Sequence, residues 1–89
     1  MAKKKIVSFS FRAPQRFNDV KLAGSFTNWE QGAIEMTKGR FGQWKAEVNL
    51  EPGEYEYKFM ADGKWLNDPK ADKIVPNSRG SENSIRVVK

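Results

Sequence analysis

A chain of 89 residues and 10.2 kDa with no cysteine, no histidine and three tryptophans makes one domain with one modest core, and its composition excludes thiol nucleophiles, imidazole bases, Ser-His-Asp triads and His/Cys zinc sites. The balance of 16 basic against 11 acidic residues gives +5 and a pI near 9.6, which raises nucleic acid as a partner, but Lys3, Lys4 and Lys5 carry much of that excess and elsewhere Lys and Glu are interspersed, as on a solvated strand face. No disulfide framework is available, no apolar run approaches about 18 residues, and Ser8, Ser10 and Arg12 break any signal-peptide core, so a soluble, cytoplasmic domain is expected.

Residues 1–5 read as a basic tail and 6–89 as the domain. From Lys5 to Phe11 the periodicity is two, with Val7, Phe9 and Phe11 on one face and Ser8 and Ser10 on the other, which is a half-buried strand. Pro14 and Asn18-Asp19 punctuate the chain, and Val20 and Leu22 start a second short strand that runs into Gly24. The stretch from Gly24 to Gly32 is too irregular for a strand and reads as a loop carrying Phe26 and Trp29. Ala33 to Thr37 is expected as one short strand, closed by Lys38-Gly39-Arg40-Phe41-Gly42, whose two glycines can supply positive φ.

Gln43 to Leu50 alternates cleanly, with Trp44, Ala46, Val48 and Leu50 on one side. Pro52 and Gly53 have the chemistry of a type II turn, and the strands on either side of it are expected to pair as a hairpin. After the turn, Tyr55, Tyr57, Phe59 and Ala61 take the inward positions and leave Glu56, Lys58 and Met60 outward. Asp62-Gly63 is a two-residue type I′ hairpin signal delivering Lys64 to Asn67 as a returning strand. Asp68-Pro69 ends it, Lys70 to Glu82 reads as a polar connection, and a last strand places Ile85 and Val87 on a shared face. Closely spaced turn signals, with no helical period and no repeat, predict a small antiparallel β-sandwich.

The tryptophans divide by context. Trp44 is in phase with a core face. Trp29 sits in a loop and Trp65 follows a tight turn, so no alternation demands their burial. Each could plug one end of the sandwich, or the two could form a flat platform for a sugar, whose C–H face lies well against an indole. Lys58, outward on its strand, and Asn83, just before the last strand, are suited to hydroxyls at the rim. Their plainer readings are a solvated lysine and a turn residue bonded to its own backbone.

Five segments in this order, Val20 to Trp29, Tyr55 to Phe59, Asp62 to Trp65, Asn67 to Pro69 and Asn83 to Val87, resemble the family 48 carbohydrate-binding modules. That family includes the glycogen-binding domain of the AMP-activated protein kinase beta subunit and the N-terminal modules of branching enzymes, isoamylases and pullulanases. The resemblance runs from about Ile6 to Val88. It implies an immunoglobulin-like, early-set β-sandwich that binds α-1,4-glucans such as glycogen, starch or maltooligosaccharides without catalysis. It also implies that Trp29 and Trp65 stack on glucose rings and that Lys58 and Asn83 bond hydroxyls. A linked catalytic or kinase-complex subunit in a longer parent protein is the further partner it implies; no cofactor, metal, membrane or nucleic acid is expected. The chain departs from the kinase subunit in the loop from Pro76 to Ser81, which has no bulky apolar residue to set against the sugar, leaving Asn77 or Arg79 to contribute by hydrogen bonding.

Among catalytic chemistries, paired carboxylates survive the composition. Glu30, Asp62 and Asp68 are near the candidate platform in sequence, but Asp62 is committed to a turn and Asp68 precedes a proline, and a glycosidase needs two carboxylates held across a bond. The chain is therefore expected not to be an enzyme. Two other readings use the same residues: a sandwich that acts as a spacer or protein-interaction domain, and a single-stranded nucleic-acid binder that stacks bases on the indoles. The second lacks cold-shock and RNP aromatic motifs.

Overall fold

The computed structural model describes residues 4–13, 15–78 and 80–89. In chain order the strands are β1 (Lys5–Arg12), β2 (Val20–Gly24), β3 (Ile34–Glu35), β4 (Thr37–Lys38), β5 (Gln43–Leu50), β6 (Gly53–Ala61), β7 (Lys64–Leu66), β8 (Lys73–Pro76) and β9 (Glu82–Val88). One sheet runs β1-β5-β4 and the other β3-β2-β6-β9-β8, with β7 pairing onto the far end of β6, and all the pairings are antiparallel. This is the antiparallel β-sandwich that the alternation predicts, consistent with the all-β, immunoglobulin-like, early-set architecture that the family resemblance implies. Among the described residues no helix is long and apolar enough to cross a membrane.

The core lies between the two sheets because period two sends alternate side chains there. From one sheet come Val7, Phe9 and Phe11 with Trp44, Ala46 and Leu50; from the other, Val20, Leu22, Tyr57, Phe59 and Ala61. The aromatic rings carry much of this layer. Phe9 meets Tyr57 edge-on at 4.9 Å between centroids, and Phe11 stacks on Phe59 at 4.7 Å. Trp44 is buried at 5% exposure, as its phase requires.

Several expectations are corrected. The strands flanking Pro52-Gly53 do not form a hairpin: β5 belongs to one sheet and β6 to the other. Gly53, at φ 154°, lets the chain cross between layers, and the Tyr55 hydroxyl donates to the Glu51 carbonyl at 2.7 Å to hold the connection. Alternation fixes which side chains face inward, but two strands facing one another across a sandwich satisfy it as well as two strands side by side.

Residues 33–37 are not one strand either. Ile34 pairs with Leu22 in one sheet and Thr37 with Lys45 in the other, with Met36 buried at the crossing. In the turn that follows, the positive φ values belong to Phe41 (58°) and Gly42 (74°), while Gly39 stays at −106°. Lys5, assigned to the tail, opens β1 opposite Leu50.

The polar connection after Lys70 contains the unforeseen edge strand β8, too short to show an alternation and ended by Pro76, which an edge tolerates. The shared face of Ile85 and Val87 is the outer one, since Ser84 lies opposite inward Tyr57 and Arg86 opposite Tyr55. Pro14 and Arg79 lie outside the described residues.

A buried polar cluster joins β6, β9 and the turn after β7. The Tyr57 hydroxyl donates to Asp68 Oδ2 at 2.7 Å, Asp68 Oδ1 accepts the Lys70 amide at 2.9 Å, and the Asp68 amide donates to Ser84 Oγ at 3.0 Å. Ser84 Oγ in turn donates to Asn67 Oδ1 at 3.1 Å. Asp68 is thus structural, as its place before Pro69 suggests. Burial, and then the hydrogen bond and negative charge of Asp68, push the Tyr57 phenol well above its ordinary range.

Because the folded protein holds this phenol protonated more firmly than the unfolded chain does, its contribution to stability is complete below about pH 10 and is lost as pH rises beyond that. Chemical denaturation of the parent and of Tyr57→Phe should differ by about 1–3 kcal/mol at neutral pH. The gap should shrink at pH 10–11, and a constant gap would refute the assignment. Trp44→Ala should cost about 3–5 kcal/mol by emptying part of the core layer between the two sheets, measured by the same denaturation.

Candidate functional site

The outer face of the larger sheet carries a groove of about 900 Å³. Three elements build it. Strand β6 supplies Glu56 and Lys58, which must point outward because Tyr57 and Phe59 between and beside them point in. Strand β7 pairs Trp65 with Met60, and so places the indole on the same outer face. The segments around β9 supply Asn77, Ser81 and Asn83.

The remaining wall is the loop from Ser25 to Gln31, which contributes Trp29 and Glu30. It is attached closely. The Ser25 amide donates to the Glu56 carbonyl at 2.9 Å, and a Cβ on Gly24 would stand 2.4 Å from that same oxygen, so only glycine allows the approach. Asn28 and Trp29 then both take positive φ, 58° and 57°. Asn tolerates this conformation, but a bulky indole rarely adopts it, and such strain persists where surrounding contacts over-determine the backbone. Here Thr27 does so: its Oγ1 accepts the Gly24 amide at 3.0 Å and has the Trp29 carbonyl at 2.9 Å and the Gly24 carbonyl at 3.0 Å within reach of its single proton.

All four sequence-selected residues, Trp29, Trp65, Lys58 and Asn83, line this one groove. The flat platform is corrected, however. The two indoles meet with centroids 6.5 Å apart and planes at 75°, an edge-to-face corner. Edge-to-face packing suits the aromatic quadrupole better than coplanar alignment of touching rings.

Lys58 is not an ordinary solvated lysine. It is only 8% exposed, and its Nζ lies 3.2 Å from Ser81 Oγ. Asn83, also 8% exposed, is not a turn residue bonded to its own backbone; it lies in β9, its Nδ2 donates to Glu56 Oε1 at 2.9 Å and its Oδ1 accepts from Asn77 Nδ2 at 3.0 Å. Asn77 Oδ1 takes the Ser81 amide at 3.0 Å. The loop after β8 is therefore tied to the polar floor of the groove.

Of the acidic residues weighed from sequence, Glu30 lines the groove, while Asp68 is in the buried cluster and Asp62 accepts the amides of Asn18 and Asp19 at 3.1 and 2.8 Å. Glu56 was overlooked because it sits in a Lys/Glu alternation that looks like a solvated face. Its signal was its place two residues before Lys58, on the same side of the strand.

A family model described as the glycogen recognition site of AMP-activated protein kinase matches residues 7–89. The chain belongs to this carbohydrate-binding family. It is 38% identical over 71 residues to the 5'-AMP-activated protein kinase subunit beta-1 of Rattus norvegicus, a match covering 80% of this chain and 25% of that protein. It is 35% identical over 75 residues to the chloroplastic protein PTST homolog 2 of Arabidopsis thaliana, covering 84% of this chain and 14% of the relative. The chloroplastic protein FLOURY ENDOSPERM 6 of Oryza sativa subsp. japonica is 37% identical over 71 residues, covering 80% and 13%.

Among solved structures, the maltogenic amylase from S. marinus superposes with a TM-score of 0.73 at 28% identity, over 97% of this chain and 14% of the amylase. The family module thus spans a quarter or less of these larger relatives. Because some relatives are named chloroplastic, membership does not assign this chain to the cytoplasm.

Thr27→Val removes the acceptor of the Gly24 amide and the donor to Trp29 at nearly constant shape. It should cost about 1–3 kcal/mol and speed hydrogen exchange at the Gly24 amide, read by NMR. An unchanged exchange rate would show that the loop does not depend on this hydroxyl.

Proposed function

We propose that this chain is a non-catalytic module that binds α-1,4-linked glucans, with Trp29 and Trp65 stacking on glucose units and Lys58 and Asn83 bonding hydroxyls. The observation that carries the reading is that two half-buried indoles, a nearly buried ammonium and a network of amides share one open groove. Indoles offer apolar faces to sugar C–H groups, and the rim supplies the donors and acceptors that fix a polyol's orientation. The corner between the rings also favours this ligand class. The axial bond at C1 of an α-1,4-glucan turns each glucose relative to the last, so the chain curves, and rings set at 75° suit a curved chain better than a flat one. Family membership and starch- or glycogen-related relatives point the same way.

Two carboxylates, Glu30 and Glu56, line the groove, and Glu56 accepts a hydrogen bond from Asn83. Glu35, whose carboxyl is held above its ordinary range chiefly by a hydrogen bond with Asp19, lies on β3 outside the groove lining. Glucan binding would serve a longer protein by bringing a linked activity or a kinase complex to a polymer. A short groove orders few groups, so single-site binding is weak and a polymer with many overlapping sites strengthens it by multivalency.

Trp29→Ala and Trp65→Ala should each lower affinity for maltoheptaose by about 2 kcal/mol or more, roughly thirtyfold, with the fold retained. Tryptophan fluorescence or an NMR titration measures this, and binding equal to the parent would remove these residues from the site. A parallel titration with single-stranded DNA at two salt concentrations separates the classes: a neutral sugar should respond little to salt, whereas phosphate binding should fall steeply. A response to DNA alone, abolished by salt, would replace the glucan reading.

A further inference from the structure

We propose that Glu56 is a further ligand-reading residue of the groove and that, with Glu30, it makes the site selective for uncharged glucans over phosphorylated ones. The inference rests on the glucan-binding reading and adds its substrate class. Although the protein carries +5 overall, the charged side chains among the described residues lining the groove are two carboxylates, Glu30 and Glu56, against one ammonium, Lys58. Other charges on the same sheet pair with one another: Lys21 lies 3.7 Å from Glu35 and 4.0 Å from Asp19, and Lys73 lies 3.2 Å from Glu54. Among the described residues no ion pair within 4.0 Å joins Glu30 or Glu56 to a cation. Lys58 instead bonds Ser81.

The geometry at Glu56 is that of an oriented acceptor. Asn83 Nδ2 donates to its Oε1 at 2.9 Å, which fixes the carboxylate plane, and Oε2 makes no hydrogen bond within the described residues. Asn83 is itself held at its other end by Asn77. A carboxylate accepts from two donors readily, and a glucose ring offers adjacent hydroxyls as donors. A phosphate ester on the sugar brings about −1.5 to −2 charges into the groove that both carboxylates line, where screening over roughly 10 Å at 0.1 M salt leaves repulsion at short range. Among the described residues the charges lining the groove are thus opposite in balance to those of the protein as a whole, and charges at short range weigh most.

The test uses maltotriose and maltotriose phosphorylated at O6 of its middle unit, short enough to keep the phosphate near the groove, titrated by NMR at 20 and 200 mM salt. The parent should bind the neutral sugar at least about tenfold more tightly at low salt, with the ratio shrinking at high salt. Glu56→Gln presents an amide N–H where an acceptor stood. It should weaken the neutral sugar by about three- to tenfold and reduce the preference against phosphate.

Glu30→Gln should reduce the same preference by charge alone, and it decides the matter independently if Glu56→Gln does not fold. Equal binding of the two sugars by the parent, or an unchanged ratio in the folded variants, overturns the inference while leaving glucan binding intact. No binding of maltotriose or maltoheptaose by the parent is instead the failure of the glucan reading.

Discussion

Strand β6 has to serve two faces at once, and period two couples them. Tyr57 and Phe59 can be buried against β1 only if Glu56, Lys58 and Met60 are thrust to the other side of the sheet. The pairing register carries this outward set across the sheet. Trp65 stands opposite Met60, Ala23 opposite Lys58, and Ile85 opposite Glu56. A strand with three fully buried core residues, Tyr57, Phe59 and Ala61, is therefore also the floor of the groove, and a rigid floor holds polar groups with little loss of freedom when a ligand arrives.

The buried cluster around Asp68 secures that floor at its far end. It joins the Tyr57 phenol, the Ser84 hydroxyl and the turn that follows β7, and thereby holds the short strand that presents Trp65. At the other wall, Gly24 lets the loop bearing Trp29 lie directly on β6, and Thr27 holds its two left-handed residues. Both indoles are thus positioned from β6, one by strand pairing and one by a glycine contact. The arrangement is preorganised: the polar groups of the groove already bond one another in a chain from Glu56 through Asn83 and Asn77 to Ser81 and Lys58.

Charge is distributed in the opposite sense to its total. The protein carries +5 overall, whereas the described residues lining the groove include two carboxylates and one ammonium. A pI near 9.6 therefore says little about what the groove attracts, because a ligand inside it responds to groups within a few ångströms and not to screened charges farther away.

By itself the amino-acid sequence determined which residues face inward, because alternation is a local property of each strand: Phe9, Trp44, Tyr57 and Phe59 were legible as core, and Asp62-Gly63 as a tight turn, adopted with φ of 48° and 83°. The family motifs likewise marked Trp29, Trp65, Lys58 and Asn83 before any geometry. Only the tertiary structure decided that β5 and β6 belong to different sheets, that residues 33–38 pass from one sheet to the other, and that a short edge strand ends at Pro76. It alone also showed that the two indoles meet at a corner and that Glu56 lines the groove, bonded to Asn83. The reason is common to all of these: pairing partner, ring angle and local field arise between segments distant in the chain, and a pattern of period two has the same appearance whichever strand lies beside it.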